Sequence, residues 1–205
     1  MAYDTLPDEQ LVQATASNLE QKKYQVFTVA DKKAALEKIK EIVPAKASVM
    51  NGSSTTLEEI GFVEYLKSDT HPWNNLHAAI VAEEDETKKA ALRQQALHSD
   101  YYLGSVHALV ENGDFIVASN TGSQLPHIVY TSPHLIFVVG THKIVPSLEE
   151  GMNRLEEHVI PLEDQNMQNK YGINTFLSKM LVFKGKSPVL QRSVSFILVN
   201  EVLGF

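Results

Sequence analysis

Four consecutive hydroxyl side chains, Ser53, Ser54, Thr55 and Thr56, follow Gly52 in the stretch "VMNGSSTTLEEIGF". Set between an apolar run and a helix-like pattern, such a loop can offer hydroxyls and free backbone N–H groups to an anion at the positive end of a helix dipole. The same residues also suit a local role. Thr56 and Glu59 fit the S/T-x-x-E capping box, in which the two residues satisfy each other's orphan N–H groups and no ligand is needed. A second small-polar loop, "NTGSQ", carries Asn120, Thr121, Gly122 and Ser123 and could meet the same small anion. Gly52 and Gly122 would permit close backbone approach, or supply a turn with positive φ.

Other side chains add charge and proton chemistry. Lys143, three residues after Gly140, can meet a phosphate or carboxylate as a point charge, although the commoner fate of a lysine is solvation. Glu111 stands beside Asn112-Gly113, where an acidic residue is ordinary turn chemistry. None of the eight histidines (71, 77, 98, 107, 127, 134, 142 and 158) has a metal-binding partner at H-E-x-x-H or comparable spacing, so no metal is expected. His107 and His142 are the acid/base candidates, with a satisfied or solvent-facing ring as the simpler expectation for each. There is no cysteine, which excludes disulfides, thiolate zinc sites, cysteine-ligated iron–sulfur clusters and a cysteine nucleophile. Serine-hydrolase elbow, Walker loop and G-x-G-x-x-G patterns are absent.

These residues need elements to position them. With 205 residues, 43% of them hydrophobic, the chain can bury a substantial core and reads as one domain spanning 1–205. No run approaches the roughly 18 apolar residues of a membrane span, and "MAYDTLPDEQ" lacks the features of a signal peptide, so a soluble, cytoplasmic protein is expected. A net charge of -7 opposes broad capture of a phosphate backbone, which makes nucleic acid an unsuitable partner. Residues 24–30 read as a strand, and Asp31 caps a helix with Ala35, Leu36, Ile39 and Ile42 on its apolar face. "ASVMN" is the next strand. A right-handed βαβ unit and a parallel sheet follow, with the Gly52–Thr56 loop at a strand's C-terminal end, where open α/β sheets bind ligands.

The middle is less legible: "HAAIVA" is too short to assign, and "EDETKKAALRQQALHSD" is helical with a solvated face. Segments 106–110 and 115–119, joined by "ENGD", predict a β-hairpin. "HLIFVVG" has the continuous apolarity of a central strand ending at Gly140. Ser147 with Glu150 suggests a capping box opening a helix that buries Leu148, Met152 and Leu155. Residues 163–188 read as a long irregular loop with at most one short helix, and "SVSFILV" as a final strand.

Four segments in order, "SSTTLEEIG", "SVHALVENGDFIVASNTGS", "IFVVGTHKIVPSLEEG" and the closing "ILVNEVLGF", resemble the LUD family, the lactate-utilisation domain proteins. The resemblance implies an α/β fold with a largely parallel sheet flanked by helices, similar to the sugar-phosphate isomerase and CoA-transferase group, with an inserted hairpin around Glu111–Asp114. It also implies a part in oxidising lactate to pyruvate, beside partner subunits that carry iron–sulfur clusters. This cysteine-free chain would resemble the cluster-free subunit, accessory or catalytic, binding a small anion and needing no cofactor of its own. Where many members have Gly-Asn-Arg, this chain has Gly122, Ser123 and Gln124, so a cationic contact at the second loop is missing. The CoA-transferase relatives carry a nucleophilic glutamate in a similar E-x-G turn, which makes Glu111 the catalytic candidate of a stand-alone transferase or isomerase. A metabolite-binding module without turnover is the third expectation. A homodimer is expected on general grounds, closed two-fold pairs being the commonest assembly.

Overall fold

The computed structural model describes residues 3–68 and 70–205 of the chain. In chain order, α1 (Glu9–Gln21) leads to β1 (Gln25–Val29), α2 (Lys32–Ile42), β2 (Ser48–Asn51), α3 (Thr55–Glu59) and α4 (Phe62–Lys67). A two-residue strand β3 (Asn74–Asn75), α5 (Leu76–Ala82) and α6 (Glu86–Ala96) fill the middle. Then come β4 (Tyr101–Gly104), β5 (Ala108–Val110), β6 (Phe115–Ser119), β7 (His134–Gly140) and β8 (Ile144–Val145). α7 (Leu148–Arg154) runs through a π-helical turn at Leu155–Val159 into α8 (Ile160–Tyr171), followed by β9 (Lys179–Phe183) and β10 (Ser193–Val199).

Six strands form a wholly parallel sheet in the order β1-β10-β7-β4-β2-β3. The fold class expected from the sequence is therefore observed. β7 and β10 lie inside the sheet, buried on both faces, which explains their unbroken apolar runs. Their alternate side chains feed two cores. Ile136, Val138, Ile197 and Val199 pack under α2, α3 and α4 with Leu57, Phe62 and Trp73. Leu135, Phe137, Val139, Phe196 and Leu198 pack on the opposite face against α1 and a second sheet, ordered β8-β5-β6-β9. The far side of that second sheet buries Ala108, Val110, Ile116 and Val145 against Leu155 and Val159 of the long helix.

β1 and β2 belong to one parallel sheet as expected, with β10, β7 and β4 between them. Other expectations need correction. Residues 76–82 are helical, with Asn75 accepting from the backbone N–H of Ala78 as N-cap. Met152 is 37% exposed, and Gly151 takes its place on the buried face because a Cβ there would stand 3.0 Å from Ile116 and 3.3 Å from Ala108. The stretch expected to be irregular holds most of α8 and the whole of β9. α8 has no fully buried residue, so it carries no apolar stripe for a periodicity argument to find.

The expected hairpin forms, with β5 antiparallel to β6. Its Gly113 N–H bonds back to the Val110 carbonyl at 2.8 Å, which makes Glu111 and Asn112 the central pair and Gly113, at φ 82°, the left-handed residue after them. That turn is seated on α1: Asn18 Nδ2 donates to the Glu111 carbonyl at 2.8 Å, and a Cβ on Gly113 would lie 3.2 Å from the Asn18 carbonyl.

A lysine-lined cavity at the strand ends

The C-terminal ends of β2, β4, β6 and β7 converge on one cavity of about 320 Å³, closed on the far side by α8 and by residues 173–177. This is within the usual range for a small-molecule site. Of the residues singled out by the sequence, Gly52, Ser53, Ser54, Thr55, Thr56, Asn120, Thr121, Ser123, Gln124, Lys143 and His107 all line it. Two loops far apart in sequence are thus brought together. Gly122 does not line the cavity; it turns at φ 86° against the side chain of Lys179.

The first loop differs from its expected cap. Ser54 is the N-cap of α3, its hydroxyl accepting from Leu57 N at 3.3 Å, so the proposed Thr56–Glu59 box is not formed. The run of hydroxyls offers several N-cap registers, and the helix starts at Ser54, which has Leu57 and not a glutamate three residues on. Thr56 is freed for the interior: its hydroxyl, 2% exposed, donates to the Leu203 carbonyl at 3.2 Å and accepts from Lys143 Nζ at 3.1 Å. Glu59 instead accepts from Gly204 N at 2.7 Å. No acceptor meets the backbone N–H groups of Ser53, Ser54 and Thr55 among the described residues, so they remain available to a ligand.

Lys143 is the feature the sequence misjudged. Far from solvated, it is 2% exposed, set in a single 3₁₀ turn that follows β7. Its Nζ donates to the hydroxyls of Thr56 and, at 3.3 Å, Ser105. No carboxylate lies within ion-pair distance of it among the described residues, although the more distant Glu59 favours its charge. Burial, and secondarily the Arg154 guanidinium, push its pKa from 10.5 down to about 7.

Arg154 was not anticipated. It is fully buried at the end of α7, donates to the His107 carbonyl at 2.6 Å, and has no partner for Nε or Nη2 among the described residues. Arg154 shares the buried face with Gly151, three residues before it, and because Gly151 has no side chain to mark that face the apolar pattern gave no signal for it. It also fixes His107 from behind. The His107 ring accepts from Ala118 N through Nδ1 at 3.1 Å, so in the neutral ring the proton is on Nε2. Burial, then the nearby Lys143 and Arg154, lower its pKa to about 3 and keep it neutral. His142 is likewise neutral, depressed to about 3 by burial and then by the same two cations, but it does not line the cavity. Neither of its nitrogens meets a side-chain hydrogen-bond partner among the described residues, and the backbone of Glu201 is the polar group that favours its charge.

The second loop is largely occupied by its own bonds. Gly122 N donates to Ser119 Oγ at 2.9 Å, and Gln124 Nε2 to the Ala118 carbonyl at 2.9 Å. Asn120 Nδ2 reaches Thr175 at 3.0 Å, tying the loop to the 173–177 segment. Lys179 of β9 ties the loop down from outside the cavity, its Nζ donating to the Asn120 carbonyl at 2.9 Å. Glu111 stands apart: it is held in the hairpin turn against α1 and does not line the cavity. No cluster of three or more histidine, aspartate or glutamate side chains is placed to hold a metal ion among the described residues.

A LUD domain model matches residues 12–191, most of the chain. The protein belongs to the LUD domain family. Membership supports the general association with lactate utilisation inferred from the sequence motifs. The fold is also similar to that of a DUF162 family protein from Deinococcus radiodurans, at TM-score 0.58 and 12% identity, covering 96% of this chain and 100% of that one. At that identity the likeness concerns the fold alone. No curated protein matches the LUD domain chain in sequence. None of its described helices is long and apolar enough to cross a membrane.

Proposed function

We propose that the cavity binds a small carboxylate metabolite of the 2-hydroxy or 2-oxo acid class, and that the chain serves lactate utilisation as its ligand-binding component, accessory or catalytic. One observation carries the reading. Lys143 lines the cavity as a buried amine with no carboxylate at ion-pair distance among the described residues. A buried charge left unpaired is costly, and an anionic ligand supplies the missing partner. The hydroxyls of Ser53, Ser54 and Ser105 and the free N–H groups of the first loop supply the hydrogen bonds that a carboxylate accepts. Electron-transfer groups would then belong to partner chains, since this one has no cysteine to ligate an iron–sulfur cluster. A catalytic role for Glu111 draws no support from its position in the hairpin turn.

The test is calorimetric titration of the purified chain with lactate, pyruvate and the uncharged lactamide. Lactate or pyruvate should bind and lactamide should not. Lys143→Met should weaken binding by about 2–5 kcal/mol, the scale of a buried charge pair broken on one side. Equal binding of lactamide and lactate, or no binding by either acid, would defeat the reading. Pairing of two copies belongs to the same proposal, and sedimentation equilibrium of the chain decides it.

A further inference from the structure

We propose that Lys143 is a nucleophilic amine that condenses with the carbonyl carbon of a small 2-oxo acid to form an imine in this cavity. The inference rests on the carboxylate reading above and adds a covalent step to it. Three placements carry it. Nζ is fixed on the cavity wall by the turn after the central strand β7, and its only side-chain partners among the described residues are the hydroxyls of Thr56 and Ser105. A second cation, the buried Arg154 guanidinium, lies behind it and is locked to the His107 carbonyl. Apolar side chains, among them Val106, Leu155 and Val159, form part of the cavity wall and limit hydration of the amine. Desolvation beside another positive charge is the arrangement that leaves a lysine unprotonated and reactive near neutral pH. The depression of Lys143 to about 7 agrees with that placement.

The chemistry balances within the site. The Nζ lone pair attacks the carbonyl carbon and a C–N bond forms. The oxygen takes one amine proton to give a carbinolamine. Loss of that oxygen with the second amine proton, as water, leaves the C=N bond, and no oxidant or reductant is consumed. The neutral His107, with Nδ1 engaged by Ala118 N, has Nε2–H to donate to the oxygen as negative charge develops there. The protonated form of Lys143 supplies the counter-charge that draws the acid in, and the unprotonated form attacks while the first-loop hydroxyls and N–H groups hold the carboxylate.

Reductive trapping tests this directly. The folded chain is incubated with pyruvate or glyoxylate and cyanoborohydride, and adducts are counted by intact mass and mapped by peptide mass spectrometry. The expected result is one adduct per chain, on Lys143, formed faster at pH 8 than at pH 6 and suppressed by excess lactate, which has no carbonyl. Lys143→Arg, checked for an unchanged melt, should abolish it; mapping on the unaltered chain gives the same answer should that variant misfold. Adducts confined to exposed lysines, or no adduct at all, overturn the proposal. Parallel ligand-observed NMR without reductant separates the two readings. Pyruvate binding with no Lys143 adduct overturns the imine alone, and no binding by either measure overturns both.

Discussion

The state of Lys143 has a consequence for stability that does not depend on any ligand. Its folded pKa of about 7 lies below the ordinary 10.5, so the unfolded chain binds this proton more tightly than the folded one. Between those values the unfolded chain carries the proton and the folded chain has lost it, so stability rises with pH by up to about 1.4 kcal/mol per unit. Below pH 7 both states are protonated, and the folded chain carries the full cost of a buried ammonium. Lys143→Met removes that cost. The variant is therefore expected to compare best with the parent at pH 6 and to lose its relative advantage steadily up to pH 10, as measured by urea denaturation across that range. A difference independent of pH would mean that Lys143 titrates normally and is open to water. The sequence named this residue as a ligand candidate yet favoured solvation, because what buries it comes from elsewhere: Arg154 from α7, Thr56 from α3 and the segment at Leu203–Gly204.

Elements joined far along the chain decide how well that lysine is held. Gly204 sits at φ 63°, its N–H bonded to Glu59, and a Cβ there would lie 2.3 Å from Thr56 Oγ1 and 3.2 Å from Lys143 Nζ. Gly204→Ala should cost about 1–3 kcal/mol from the left-handed backbone alone. Because it also pushes on Thr56, it should weaken carboxylate binding more than an exposed control such as Val189→Ala, with denaturation and titration as the two readouts. Retained stability and affinity would show that the segment lies looser than its contacts indicate. At this scale, legibility in the sequence followed the strength of the apolar pattern. The interior strands β7 and β10, the capped α2 and the hairpin were readable because burial on a fixed face leaves a period behind. α8 buries no residue completely, and β9 is a half-buried edge strand of the sequence "KMLVF", so neither leaves one. The π-helical turn at Leu155–Val159 has no sequence signature at all, yet it places Leu155 and Val159 on the cavity wall.

Across the whole molecule, an acidic chain of net charge -7 encloses an electropositive centre of Lys143 and Arg154 with neutral His107 and His142 nearby. Net charge could not reveal it, because the cations are gathered by folding from residues that are isolated in sequence. The same enclosure should make the protein sensitive to acid. His107 and His142 are held near 3, and His127, buried against Tyr102 with its Nδ1 3.0 Å from Ser132 Oγ, near 4, all three chiefly by burial. Their ordinary value is 6.5, so as pH falls below it the unfolded chain takes up protons that the folded chain refuses. Each histidine withdraws up to about 1.4 kcal/mol per pH unit, and the three together about 4. A domain in the lower half of the ordinary stability range, about 5–10 kcal/mol, then loses most of it within about two units below 6.5, placing acid unfolding near pH 4 to 5. Lys143 adds nothing in this window, because it is protonated in both states. Denaturation at pH 7, 6 and 5 should yield an uptake on unfolding that approaches three protons at pH 5. His127→Phe, which keeps a ring against Tyr102, should reduce the slope by one proton. A slope below one proton in the parent would mean that these rings charge in the folded state, and that water reaches the centre which the packing encloses.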